Sequence, residues 1–517
     1  MKSIREQAGG RPLSAVTPEN NSIEATCRTQ SDVIDSTQVA GAPSPWQVTM
    51  KHIIEAWKAL PEDAKEELKR RLKESDNSSA NGQAGHLDPL RQLNGYASSR
   101  AEPLARAPNN VFVFRGHQQE VLGWRNVYEL PMQYDVELCP GLLSPDSPTL
   151  SHRFRPKDGP LRRFVVVDEA VHRLYGDKMA ANFKANGITV HTVVLPGEEA
   201  NKRMDAVDKI LEQLCIFGLR RREPILAVGG GVILDIVGLA ASLYRRGVPF
   251  VRVPTTLLAI VDASVGVKNG VDYYSRAKGP QKNRAGSFYA PIGAFLDKSF
   301  IATQDDRNVV NGLGEIMKLA LVRSMELFCL LEEHGARLVQ QRFQGSDASD
   351  GVADRVIELS VQIMLEELGP NLWEHKLERQ EMTCTVGELR FQNVLCVDYG
   401  HSFSKIIEME PDADIMHGEA VNVDGFLCLV IAKRRGMITG AVLERAFSVM
   451  KMIGLPTIHP AVQLPQMEKA LRDAVEHRHG KQRMPIVSGG IGNSICVNDI
   501  DREELKGAID EAWAMHA

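Results

Sequence analysis

Three short apolar runs, separated by helix-length stretches, constrain this chain more than any other feature. PheValValVal at 164 to 167 ends in Asp168, IleThrValHisThrValValLeu follows at 188 to 195, and IleLeuAlaVal occupies 225 to 228. A helical pattern runs from Arg203 to Phe217, between the second and third. Strands buried on both faces read as unbroken apolar runs, and strands alternating with helices pair in parallel. The reading is therefore a parallel sheet wrapped by helices. After about residue 298 the strand signals fade, apart from a possible short pair near 382 to 392, and long helical periods take over. An α/β half followed by a helical half is expected, with ligand held between them.

The folded part does not begin at residue 1. Residues 1 to 45 are rich in Ser, Thr, Pro, Gly, Asn and Gln, a composition that buries too little apolar surface to offset chain entropy, and read as a disordered tail. Ile53, Ile54, Trp57 and Leu60, then Ala64, Leu68 and Leu72 past Pro61, predict two short amphipathic helices within 46 to 74. They fit either a partner-docking segment or a pair resting on its own protein. Residues 75 to 107 read as a linker, so the expected boundaries are an extension at 1 to 107, an α/β domain at 108 to 297 and a helical domain at 298 to 517.

Charge and cysteine usage exclude several functions. Sixty-one basic and 66 acidic side chains among 517 residues give −5, which offers nothing to nucleic acid. No run approaches the roughly 18 apolar residues of a membrane span. Eight cysteines form no CxxC pair, so reduced thiols and a cytoplasmic location are expected.

The residues able to carry chemistry come in clusters. The run ending at Val228 opens into Gly229, Gly230 and Gly231, with Asp235 four residues on. Glycines after a strand let backbone approach a pyrophosphate, and a helix start presents free amides to it. A tight packing turn explains a glycine triplet equally well. Asp168, at the end of an earlier strand, is able to bind a ribose hydroxyl, and Glu199 and Lys202 are spaced to share a helix face, but read alone each fits a solvated charge better. Beyond them, Arg246, Asp262, Lys268, Lys282 and Asn283 crowd into an otherwise apolar stretch, as a cationic pocket for a phosphorylated polyol requires. Glu315, His401 and His417 supply one carboxylate and two imidazoles, a donor set that leaves positions open for substrate oxygens.

Taken in order, GlyGlyGlyValIleLeuAsp, TyrArgArgGly, ProThrThrLeuLeu, ValAspAlaSerValGlyValLys, LysAsnArg, AsnGlyLeuGlyGluIleMetLys, GlyHisSerPheSer and HisGlyGluAlaVal resemble the motifs of the sugar phosphate cyclases, the dehydroquinate synthase superfamily. The resemblance spans roughly residues 110 to 510. It implies a Rossmann-like parallel-sheet domain followed by an all-helical domain, acting as a homodimer on a small sugar phosphate, with no nucleic acid and no membrane as partner. It further implies NAD held by Asp168, Glu199, Lys202, Gly229, Gly230, Gly231, Asp235, Thr255 and Thr256. Zinc, or cobalt in its place, would lie on Glu315, His401 and His417. The substrate pocket would be formed by Asp262, Lys268, Lys282, Asn283, Lys318 and Arg246, the last reaching across a dimer, with Lys481 as a later addition.

Departures narrow the resemblance. Dehydroquinate synthases carry arginine, asparagine and histidine where this chain has Val394, Asp398 and Lys405. Losing a guanidinium that pairs a planar anion bidentately implies a substrate without a carboxylate. ArgArgGluPro at 221 to 224, LeuAlaAlaSerLeuTyrArgArgGlyValPro at 239 to 249 and CysValAspTyrGlyHisSerPheSer at 396 to 404 resemble the cyclases of sedoheptulose 7-phosphate, above all the 2-epi-5-epi-valiolone synthases. Synthases of 2-epi-valiolone or desmethyl-4-deoxygadusol are the alternatives, then 3-dehydroquinate synthase and a metal-dependent polyol dehydrogenase. Asn269 and Asp272 replace a usual threonine and asparagine, Lys405 also replaces a frequent proline, and SerArgAlaLysGlyPro is inserted before Lys282.

Overall fold

The computed structural model describes residues 101–104, 107–115, 118, 121–127, 132–277, 279–345, 349–369, 396–410, 413–478 and 480–516. The tail, the two amphipathic helices, most of the linker, the strand pair near 382 to 392 and Val394 lie outside them.

Residues up to Glu129 form one unit and residues from Leu130 another. In the first, β1 (Ala101–Leu104), β2 (Ala107–Arg115) and β3 (Val121–Asn126) pair antiparallel in that order. β1 and the first residue of β2 fall inside the stretch expected to be linker. Pro103 obscures the strand in the sequence, yet a proline is tolerated on an edge, and β1 is an edge.

The second unit is built on the expected parallel sheet. Its strands are β4 (Asp135–Leu138), β5 (Arg162–Asp168), β6 (Thr189–Leu195), β7 (Ile225–Gly229), β8 (Phe250–Pro254) and, after a hairpin, β11 (Gly293–Leu296), in the order β4-β11-β8-β7-β5-β6. Helices α1 (Glu169–Ala185), α2 (Met204–Phe217) and α3 (Gly231–Leu243) connect them. Successive strand residues point to opposite faces. Phe164, Val166, Ile225 and Ala227 accordingly pack with Val207, Ile210, Leu214 and Val237, whereas Val165, Val167, Leu226 and Val228 pack with Tyr175, Met179 and Phe183. Both faces of β5 and β7 are covered, which is why their runs are unbroken, whereas β6, at the sheet edge, leaves Thr192 and Val194 exposed. β9 (Lys268–Ser275) and β10 (Gly279–Phe288) form the antiparallel hairpin, and Ser275 and Gly279, both within the inserted stretch, pair at its end.

From residue 306 the chain is mainly helical: α4 (Asp306–Arg323), α5 (Met325–Gln340), α6 (Ser349–Leu368), α7 (Ser404–Met409), α8 (His417–Arg434), α9 (Gly440–Met452), α10 (Leu464–His477) and α11 (Arg502–Ala514). It is not all-helical. β12 (Met484–Val487) and β13 (Ser494–Val497) form a short antiparallel hairpin, each strand too brief to show a period alone and each satisfied by the other. No helix among the described residues is long and apolar enough to cross a membrane.

Candidate active site

Two helices touching at glycines set the centre of the site. A Cβ on Gly314 of α4 would lie 2.1 Å from the Gly418 carbonyl oxygen, and one on Gly418 of α8 would lie 1.9 Å from that of Asn311. Only glycine permits this approach, and the Gly418 amide donates to Asn311 Oδ1 at 2.7 Å. Glu315 and His417, each next to one of these glycines, are thereby brought together. Arg307 fixes the start of α8 by gripping Glu419 at 2.8 and 2.9 Å.

His401 arrives on a separate turn, three residues before α7. Gly400, at φ +73°, lets this turn lie against Val421 of α8, where a Cβ would meet the carbonyl at 2.7 Å. The Tyr399 hydroxyl donates to the Gly425 carbonyl at 2.6 Å, and buried Asp424 accepts from the amides of Phe403 and Ser404 at 2.5 and 3.0 Å.

The three candidate ligands converge, with one ligating atom from each within 4.8 Å of the others. His417 Nε2 stands 3.3 Å and His401 Nε2 3.7 Å from Glu315 Oε1. Each Nδ1 is engaged behind, that of His401 by the Tyr399 carbonyl at 3.0 Å and that of His417 by Glu408 at 2.9 Å. This leaves both Nε2 atoms for a cation, the arrangement in which an outer oxygen fixes the ring that ligates. Both Glu315 oxygens are buried and accept no well-directed hydrogen bond, although Lys318 pairs with one of them. An oxygen pair so placed is what a metal would satisfy, and the donor set suits zinc. The charges are strongly coupled. Burial is the largest influence on His417, but Glu408 and Glu315 outweigh it and lift the imidazole to about 10. Burial, reinforced by Lys318, takes His401 down to about 3.

Glu408 extends this centre toward the sheet. Burial opposes its charge, yet His417 and Lys282 hold its carboxyl down at about 2. Lys282 pairs with Glu408 and, at 3.3 Å, with Glu199. Lys282 is presented by a bulge in β10 where Asn283 takes φ +50° and its amide donates to Asp272 at 2.8 Å. Asp262, in a π-turn at Ala259–Ala263, faces the charges of Glu315, Lys318, His417 and Lys268; burial first and Glu315 second raise its pKa.

The glycine turn is built by omission. Gly229 ends β7, Gly230 precedes α3 without any side-chain cap, and Gly231 opens the helix, so its first amides face outward. A Cβ on Gly229 would meet Ile233 at 2.9 Å, and one on Gly230 would meet Thr256 at 3.3 Å. Beside the turn, the Thr255 hydroxyl is buried without a partner. Asp168 caps α1, with one oxygen accepting from the amides of Ala170 and Val171 at 2.7 and 3.3 Å. Glu199 and Lys202 do not share a helix face. A 3-10 turn at Glu199–Asn201 separates them, and Lys202, almost wholly buried, pairs with Asp235 at 2.7 Å.

Arg246 does not join the cluster. It is exposed at the far end of α3, about 20 Å of helix from the glycine turn at 1.5 Å per residue. Lys481 is also exposed. The late cation that grips the His401 turn is Arg478, donating to Ser402 Oγ at 3.1 Å and lying 3.7 Å from Asp398.

Residues 192–311 match 3-dehydroquinate synthase N-terminal and residues 389–475 match 3-dehydroquinate synthase C-terminal. A 2-epi-5-epi-valiolone synthase of Streptomyces albus is 42% identical over 398 residues, covering 77% of this chain and 91% of that one. The chain belongs to the dehydroquinate synthase family of sugar phosphate cyclases. Another cyclase, the demethyl-4-deoxygadusol synthase of Trichormus variabilis, is 33% identical over 73% of this chain and 87% of its own. Among solved cyclases, ValA, the 2-epi-5-epi-valiolone synthase of Streptomyces hygroscopicus subsp. jinggangensis 5008 with NAD+ and Zn2+ bound, superposes with a TM-score of 0.68 at 41% identity, covering 76% of this chain and all of that one.

Sequence reasoning missed Glu408, Asp424 and Arg478. Glu408 left one trace, an acid in the apolar stretch IleIleGluMet just ahead of the second histidine motif.

Proposed function

We propose that this protein is a 2-epi-5-epi-valiolone synthase, which closes sedoheptulose 7-phosphate into a seven-carbon cyclitol and releases phosphate, acting in the cytoplasm as a homodimer. The observation that carries the reading is the convergence of Glu315, His401 and His417 beside Lys282 and Lys318, in a chain 42% identical to such a synthase.

Zinc would be held by those three side chains and NAD by the glycine turn; when bound, NAD takes and returns a hydride and zinc polarises neighbouring hydroxyl oxygens. The chain's own groups prepare the rest. The uncapped start of α3 and the Thr255 hydroxyl would receive the pyrophosphate, with Thr256 behind the turn, while Asp168, Glu199 and the Lys202–Asp235 pair would meet the remainder of the dinucleotide. Asp262 and Lys318 orient sugar hydroxyls next to the metal ligands. Lys282, held between Glu199 and Glu408, and Asn283 meet the substrate from the hairpin side. Lys405 feels the charges of Asp398, Arg478, Lys268 and Arg284, a mainly cationic surrounding that suits a phosphate end. Val394 in place of arginine supports a substrate without a carboxylate. Arg246, exposed on the sheet domain, would serve the partner's site. Ring closure then needs little beyond proximity and exclusion of water.

The test is incubation with sedoheptulose 7-phosphate, NAD and zinc. Phosphate release with absorbance at 340 nm staying flat, and an NMR spectrum of 2-epi-5-epi-valiolone, are expected. A spectrum of 2-epi-valiolone or demethyl-4-deoxygadusol reassigns the product, and steadily rising absorbance indicates a polyol dehydrogenase.

A further inference from the structure

We infer that Arg252 and Asn269 are positioning residues that lock the backbone carrying Lys268. Arg252 stands in the middle of β8, and its side chain is wholly buried. Burial alone is costly for a guanidinium, which here is drawn down to about 10. It is met by amide oxygens rather than a carboxylate: Nη1 donates to the Gly266 carbonyl, and Nη2 donates to the Lys268 carbonyl at 2.9 Å and to Asn269 Oδ1 at 2.8 Å. An apolar side chain of similar volume would fill this place at less desolvation cost, so a buried cation spent on one loop points to what that loop carries.

Asn269 completes the lock. While its Oδ1 accepts from Arg252, its Nδ2 donates to the Val267 carbonyl at 3.2 Å and to the Tyr289 carbonyl at 2.8 Å. It therefore joins the start of β9 to the residue after β10. The space it occupies is cut out of α3, since a Cβ on Gly238 would lie 1.7 Å from Asn269 Oδ1. The carbonyls of residues 266, 267 and 268 and the side chain of 269 are all engaged, which fixes the direction in which the Lys268 side chain leaves the backbone. Lys268 itself is exposed. The direction of its root sets where a long lysine side chain can reach, and small errors of placement are costly in a site that works by proximity. Threonine, usual here in the relatives that the sequence resembles, has no Nδ2 to bridge two carbonyls while accepting from Arg252.

This inference rests on the reading in which Lys268 meets the phosphorylated substrate, and the experiment separates the two. Asn269→Ala is the main variant, because Arg252→Met risks the fold of the sheet. With zinc content and NAD affinity unchanged, Asn269→Ala is expected to raise KM for sedoheptulose 7-phosphate about tenfold while kcat changes less than about threefold. Hydrogen exchange of amides 266–270 should become faster. In a Lys268→Met background the same substitution should alter kcat/KM by less than about twofold, since the group being positioned is gone. Unchanged exchange in Asn269→Ala overturns the lock. A full, additive loss on top of Lys268→Met overturns positioning through Lys268, as does a parallel fall in NAD affinity. Faster exchange with an undiminished Lys268→Met enzyme means that the lock exists but Lys268 has no substrate role, and the failure is then of the functional reading.

Discussion

The glycine turn and the histidine centre, two parts of one site in the proposed function, are made in opposite ways. At Gly229 to Gly231 the site is an absence: no side chain caps α3, and the first amides of the helix supply the attraction for an anion. Around Glu315 the site is a dense chain of charge, running from Lys318 through Glu315, His417 and Glu408 to Lys282 and Glu199. A backbone site depends on steric room. A charge chain depends on every member, because a group removed leaves its neighbours buried and unpaired. Damage to the chain should therefore be larger and should travel further than damage to the turn.

The greatest effect is expected from His417→Ala. This residue is both a candidate ligand and the link from Glu315 to Glu408, so the purified variant should contain no zinc and should lose turnover on the order of a thousandfold. Metal analysis checks the first part. Full zinc content in this variant would break the assignment of the centre. Next is Glu408→Gln, which keeps an acceptor for His417 Nδ1 but removes the charge shared with Lys282. Outer partners of ligating histidines are worth about 10- to 100-fold in metal affinity, so competition with a chelator should show zinc weakened by that amount. NAD affinity, read by equilibrium dialysis, should move much less.

These two residues also mark how far the sequence could be read. His417 stood in a contiguous motif, HisGlyGluAla, as did Glu315 and the glycine turn, because a helix start or strand end needs its residues side by side. The runs of β5 and β7 were legible for the same reason, since burial on both faces leaves a local, unbroken signature. Glu408 was not legible. Its partners lie at 282 and 417, and an acid on a short helix shows nothing of what meets it across 126 residues. Arg252 was hidden likewise, since its acceptors at 266 to 269 meet it only in the fold. The β12–β13 hairpin escaped because four-residue strands have no period. Glu199 and Lys202 show the converse error, a spacing that suited a helix where the chain makes a 3-10 turn.

Gly230→Ala probes the other side of the comparison. Its φ of −74° suits any residue, so the backbone is not strained, but the new methyl would stand 3.3 Å from Thr256 Cγ2, at the uncapped helix start. NAD affinity should fall about tenfold, or ~1.4 kcal/mol, with zinc content intact. Loss of zinc in this variant would mean that the turn and the centre are one cooperative unit rather than two.

The smallest effect should come from a charge network outside the site. Glu223 accepts from Arg162 at 2.9 and 2.7 Å and from the Arg220 amide at 2.7 Å, tying β5 to the end of α2. Burial opposes its ionisation most, but Arg162 and the Arg220 amide outweigh it and hold the carboxyl below its ordinary value. A depressed folded pKa adds stability that is present above the unfolded pKa, about 4.3 for glutamate, and lost as pH falls through the folded value. Glu223→Gln should accordingly cost about 2 kcal/mol near neutral pH, a Tm lower by a few degrees. The two proteins should converge in calorimetric scans as pH drops below 4.3 or so. Turnover per folded molecule should be unchanged, since no bond from Glu223 reaches the site. A fall in turnover per folded molecule in Glu223→Gln would show that activity responds to any broken ion pair in the frame, and the contrast between a self-dependent charge chain and its surroundings would have to be given up.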